Sequence, residues 1–153
     1  MNNGRQLNDV LRYNLSTNDK AIKERPITIT FRLDNTSNRN LKILKWYTPL
    51  EGIQGKIFKV VCDGKELLYE GPMVKRGNPG KDDYVEIGSN NSVSSQVDLS
   101  EAYTFPESNK CLVEFKGQIH DVAESDESLP KQNGEFKSAT ISGNSVTFKI
   151  VNE

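Results

Sequence analysis

The stretch ITITFRLDN, residues 27–35, constrains the fold more than any other part of the sequence. Ile27, Ile29, Phe31 and Leu33 alternate with Thr28, Thr30, Arg32 and Asp34, the pattern of a strand with one buried and one wet face. Pro26 suits the first position of such a strand, and NTSNRN (35–40) is a turn cluster of the kind that punctuates strands. The same period of two recurs down the chain. KIFKVVCDGKELLYEG carries two β-rich runs around Asp63-Gly64, and Asp-Gly between apolar runs signals a hairpin, because a type I′ turn needs positive φ at both central residues. Residues 56–62 and 65–70 are therefore expected to pair antiparallel.

Further strands are expected at DYVEIG (83–88) and SVSSQVDLS (92–100), separated by the turn SNN. CLVEFKGQIHDV (111–122) reads as one longer strand, bulged or bent at Gly117. SATISGNSVTFKIVNE reads as a second hairpin, at the C-terminus, and AESDESLPKQNGE (123–135) as an exposed polar loop. Only the first 24 residues could hold much helix, and LNDVLRYNL supports no more than about two turns. The expected architecture is all-β: an immunoglobulin-like antiparallel β-sandwich of about eight or nine strands, with a barrel as second choice. Residues 25–153 form that single domain, and 1–24 an N-terminal arm that packs on it or leads into it.

A chain of 153 residues is long enough to bury a core as one domain. Its 20 Lys and Arg balance 21 Asp and Glu, which leaves no electrostatic footprint for nucleic acid or an anionic membrane. No apolar run approaches the ~20 residues that span a bilayer. The start MNNGRQLNDVLRYNL lacks the layout of a signal peptide, so the chain as it stands reads as soluble and cytoplasmic, and as secreted if an export signal was removed.

The residues that could carry catalysis are few. His120 is the single histidine, and its neighbour Asp121 would point to the opposite face of a strand, so the two cannot orient each other as a triad requires. One imidazole and no H-E-x-x-H leave no zinc site, and no cofactor is expected. Ser92, Ser94, Ser95, Ser125 and Ser128 lie outside any G-x-S-x-G elbow. The carboxylates Asp82-Asp83 and Asp121, Glu124, Asp126 and Glu127 lack EF-hand spacing, and GNPGKDD (77–83) lacks the features of a phosphate loop. Asn14, Asn35 and Asn90 match the N-glycosylation pattern by chance. Cys62 and Cys111 each sit in an alternating run and should face inward. They would be buried thiols packing as small hydrophobes, or a disulfide between core strands if their Cα atoms lie within about 7 Å.

The order of features from Leu33 to Phe115 carries a family resemblance. The pieces are LDNTSNRNLKILKWYTPLEGI, FKVVCDGKELLYEGPMVKR, DYVEIGSNNSVSSQVDLSEAYTF and CLVEF. They resemble the N-terminal, immunoglobulin-like region found ahead of the catalytic domain in secreted zinc metallopeptidases of the deuterolysin and peptidyl-Lys endopeptidase family. The matching residues are Asn35, Leu41, Leu44, Pro49, Leu50, Phe58, Val60, Gly64, Tyr69, Gly71, Val97, Asp98, Leu99, Ser100, Ala102 and Tyr103. The family's zinc domain, with H-E-x-x-H and a downstream Asp, has no counterpart in this sequence. The resemblance implies a propeptide-like or accessory module that binds a protein, most naturally a peptidase, as inhibitor or folding chaperone, without turnover of its own.

Within LKILKWYTPLEGI (41–53) the strand pattern exits at Pro49 and Gly52 just after the only Trp. Trp46 is either a plug at one end of the core or part of a docking surface. That surface would combine Trp46, Tyr47, Pro49 and Leu50 with Met73, Lys75 and Arg76 from the neighbouring 71–80 loop. The alternative function is a carbohydrate- or cell-surface-binding module, a role many such sandwiches host.

Overall fold

The alternation at 27–35 becomes β3, Thr28–Asn35, with Ile29, Phe31 and Leu33 fully buried in a computed structural model that describes residues 10–124 and 136–153. β3 is the middle strand of a three-stranded antiparallel sheet, between β1 (Leu11–Ser16) and β8 (Ser92–Asp98). Phe31 lies opposite Leu15 on one side and Ser95 on the other. The facing sheet has the order β2 (Lys20–Ile22), β11 (Val146–Val151), β9 (Ser108–Phe115), β5 (Phe58–Cys62) and β6 (Lys65–Glu66). All its pairings are antiparallel except β2 with β11, which run parallel.

The molecule is thus an all-β sandwich. Its two main sheets, β1-β3-β8 and β2-β11-β9-β5-β6, face each other across one core as in an immunoglobulin-like sandwich. Between the sheets Phe31 and Phe115 approach to 5.4 Å, with Tyr13 and Phe58 completing an aromatic cluster. Burying each such ring contributes about 1.5–3 kcal/mol, which is why the alternating positions dictate the layers.

A smaller sheet, β10 (Val122–Glu124), β4 (Leu41–Leu44) and β7 (Tyr84–Ile87), extends the first one around a corner. β3 pairs with β8 before the corner and β4 with β7 after it. Buried Asn35 holds the bend: its amide nitrogen donates to the carbonyls of Arg39, Ile87 and Gly88, and its Oδ1 accepts from the backbone and hydroxyl of Ser37. A side chain engaged in this way is not available as a glycan acceptor.

The Asp63-Gly64 hairpin forms between β5 and β6, with φ of 49° and 82° at the two turn residues. Cys62 and Cys111 lie directly opposite each other on β5 and β9, flanked by the hydrogen bond from Asp63 N–H to the Lys110 carbonyl, and are joined by a disulfide with Cα atoms 4.0 Å apart. The reading as free thiols is therefore replaced: the close, non-hydrogen-bonded pairing of antiparallel strands brings the two sulfurs together.

Eleven strands are found among the described residues, more than the eight or nine expected. β1, β2 and β10 were not among the expected strands, while one expected C-terminal strand is missing. Leu11–Ser16 is a strand and not helix, because pairing with β3 buries Leu11 and Leu15. Residues 10–22 thereby belong to the sandwich itself, as β1 and β2. The long strand expected at 111–122 ends at Phe115 and resumes in another sheet as β10. Gly117 marks the break, since a Cβ there would lie 2.9 Å from the Tyr47 carbonyl oxygen and 2.7 Å from the Phe115 ring. The C-terminal hairpin does not form. Ala139 pairs with Ile119 and Ser142 with Arg12, while β11 pairs with β9 and β2. Of the expected loop 123–135, Ala123 and Glu124 belong to β10; Ser125, Asp126, Glu127, Ser128 and the rest of it lie outside the described residues.

Candidate functional site

After β4 the chain makes two tight turns, with Thr48 N–H bonded to the Lys45 carbonyl and Gly52 N–H to that of Pro49. Tyr47 sits at φ 59°, a left-handed conformation that costs a non-glycine residue on the order of 1 kcal/mol or more. Its N–H is held at 2.7 Å by Glu51 Oε2. The Thr48 hydroxyl donates to the Lys45 carbonyl and accepts from Leu50 N–H. This shoulder turns Trp46 inward, onto a small cluster with Leu44 and Tyr84 and edge-to-face against Phe136 at 6.4 Å.

From the other side comes a strap, residues 67–80, that follows the hairpin. It is tied down at several points. Leu67 N–H bonds the Val60 carbonyl, Glu70 N–H that of Ala102, and Val74 N–H that of Gln54. The Tyr69 ring packs on Tyr103 and its hydroxyl donates to the Pro72 carbonyl. Arg76 makes the strongest tie. Its guanidinium lies 5.1 Å from the centre of the Trp46 ring and 5.2 Å from that of Tyr47, and Nη2 is 2.6 Å from Glu51 Oε2. The Arg76 and Glu51 side chains keep only 17% and 13% of their exposure, so water screens this pair less than an open surface bridge.

The seven residues sought in the sequence thus fall into two groups. Trp46, Tyr47 and Arg76 are brought into contact, with Trp46 5% exposed and therefore part of the interior. Pro49 is also buried, its carbonyl accepting from the Ser95 hydroxyl, and Leu50 packs against the core. Met73 and Lys75 are exposed on the strap. A docking surface containing Trp46 and Pro49 as contact residues is replaced by a buried brace beneath an exposed strap.

Leu68, Met73 and Val74, at 78%, 77% and 38% exposure, are the exposed large hydrophobics among the described residues, and all three lie on this strap. Sequence reading missed Leu68, Val74 and the bracing Glu51. The five-residue reach from Trp46 to Glu51 had no signal of its own, and the partner it needs lies 25 residues away.

His120 also meets the shoulder, its ring tilted by 44° against that of Tyr47 with the centres 4.9 Å apart. Burial pushes its pKa down, and the nearby Glu51 carboxylate offsets this in part. Asp121 is fully buried and faces elsewhere, accepting from the Tyr84 hydroxyl at 2.7 Å and from Lys137 N–H at 2.9 Å. The adjacent pair lies in the segment between β9 and β10, outside the strand expected there, and its two side chains turn to different partners. Beside His120 an open cleft of about 490 Å³ is lined by Tyr47, Lys56, Ile57, Lys116 and Gln118. Among the described residues no group of three His, Cys, Asp or Glu side chains is placed to hold a metal. No helix among them is long and apolar enough to cross a membrane.

Fold and geometry together define a β-sandwich that displays one braced, apolar strap. No family model matches the chain. Over 77 residues, half of its length, it is 30% identical to an extracellular protease of Aeromonas hydrophila, and it covers 22% of that protein. The chain therefore corresponds to about a fifth of the relative it matches. Among solved structures it is similar to the CARDB domain of a Pyrococcus furiosus protein, solved in complex with di-metal ions, at a TM-score of 0.38 and 10% identity over 94% of each chain.

Proposed function

We propose that this chain is a non-catalytic, protein-binding sandwich whose partner is a peptidase, which it inhibits or helps to fold. The observation that carries the reading is the strap: the exposed large hydrophobics of the described chain are gathered on one segment, and that segment is fastened to the body by a partly buried ion pair and two ring contacts. Apolar residues gathered on one exposed segment mark an interaction site more readily than residues scattered singly over a surface. The direction toward a peptidase comes from the partial likeness to an extracellular protease. The resemblance to the region ahead of the zinc domain in deuterolysin-type enzymes points the same way.

The test is to mix the purified chain with the Aeromonas hydrophila extracellular protease. Co-elution on size exclusion, together with slowed casein hydrolysis or improved refolding of the protease, is expected, and the chain alone should not cleave casein. Absence of any complex at micromolar concentrations, or casein cleavage by the chain alone, refutes the reading.

A further inference from the structure

Between Pro72 and Gly80 the strap runs without a turn or bend. Val74 N–H bonds inward to Gln54 at 3.0 Å, and Arg76 points inward to Glu51. Val74 N–H is thus held inward, and the backbone groups of its neighbours Met73 and Lys75 are left facing away from any partner on the body. Among the described residues neither takes part in a hydrogen bond. The Met73 side chain is 77% exposed, and exposed Lys75 has no ion pair within the described chain. The strap, which belongs to no sheet, thus offers a short open backbone edge at Met73 and Lys75.

We infer that Met73–Lys75 enters the active-site cleft of the partner peptidase as an extended, substrate-like segment. This rests on the proposed function and specifies how the two proteins meet. A peptidase cleft reads its substrate as an added strand: main-chain hydrogen bonds provide affinity, and pockets for side chains provide selectivity. Met73 asks for an apolar pocket. Lys75, a residue type that guards open edges against indiscriminate pairing, asks for a carboxylate at the rim. The ties at Glu70, Val74 and Arg76 order the segment beforehand, so binding does not have to freeze it. The shortness of the edge and the Lys argue against self-association through this segment.

The experiment uses the full chain and the Aeromonas hydrophila protease, free or with its cleft occupied by a tight peptide-mimetic inhibitor. Inhibition should be competitive with a short peptide substrate, and the blocked protease should not bind. Met73→Asp should weaken inhibition at least tenfold. Lys75→Pro, which deletes the outward N–H at a position with no internal bond, should weaken it well beyond Lys75→Ala. All three variants should keep the parent's thermal midpoint. If the blocked protease binds as well as the free one, or if Met73→Asp and Lys75→Pro both inhibit like the parent, the strap does not enter the cleft, although a complex exists. If no complex forms at all, this inference falls together with the proposed function.

Discussion

Replacing Arg76 by Ala removes the central tie of the strap, and the size of the effect follows from its contacts. The guanidinium faces two rings at 5.1 and 5.2 Å, each worth about 0.5–1 kcal/mol at an exposed site and more when desolvated. It also meets Glu51 at 2.6 Å, and a hydrogen bond to a charged group contributes about 1.5–3 kcal/mol. Both side chains retain some contact with water, so the lower halves of these ranges apply, giving a loss of about 3 kcal/mol. Trp46 is the only tryptophan and reports the change directly. In Arg76→Ala its emission should move to longer wavelength and become accessible to acrylamide, and urea unfolding should show the lost stability. In a double-mutant cycle with Glu51→Gln, Arg76→Ala should show a coupling of at least about 1 kcal/mol, since the pair is in direct contact. A loss below about 0.5 kcal/mol, the level of an ordinary surface change, with unaltered quenching, refutes the claim that Arg76 braces the shoulder.

Three further outcomes are expected. Reducing the Cys62–Cys111 bond, which spans 49 residues, should lower stability by about 4 kcal/mol on the chain-entropy account; urea melts with and without reductant measure it, and a loss under about 1 kcal/mol would contradict that account. Asn35→Ala should cost about 2–4 kcal/mol, because buried carbonyls and the Ser37 hydroxyl lose partners at the corner; calorimetry showing a neutral substitution would remove Asn35 from that role. His120 titrates below its ordinary value in the fold, so the unfolded chain binds more protons just under the unfolded pKa of about 6.5. Its contribution is therefore fully present above that pH and declines as the pH falls toward the lower folded pKa. Urea stability of the parent should drop relative to His120→Phe over that window, and parallel curves would refute the assignment.

Much of the layered architecture was legible because it rests on a local pattern. At ITITFRLDN and at Asp63-Gly64, side-chain alternation and turn chemistry point the same way, and tertiary structure had nothing to override. LNDVLRYNL failed for the opposite reason: Leu11 and Leu15 satisfy both helical spacing and alternation, and the choice was made by β3, a neighbour the local pattern does not reveal. The C-terminal runs failed similarly, since Asn144 bonds both the N–H and carbonyl of Leu15 and so fastens residues 142–144 to β1. At the candidate site, Trp46 as a plug and Arg76 as a nearby residue could be named from sequence. Their contact depends on how the strap crosses the shoulder, and Glu51 acquires its role only when Arg76 arrives.

β2 and β11 pair in parallel, and an ion pair between Arg25 and Glu153 closes the loop end beside them. Force applied ahead of Lys20 on one strand and beyond Val151 on the other would pull the two lengthwise past each other, loading all of their hydrogen bonds together instead of one after another. Along that seam the sandwich resists by shear and not by unzipping.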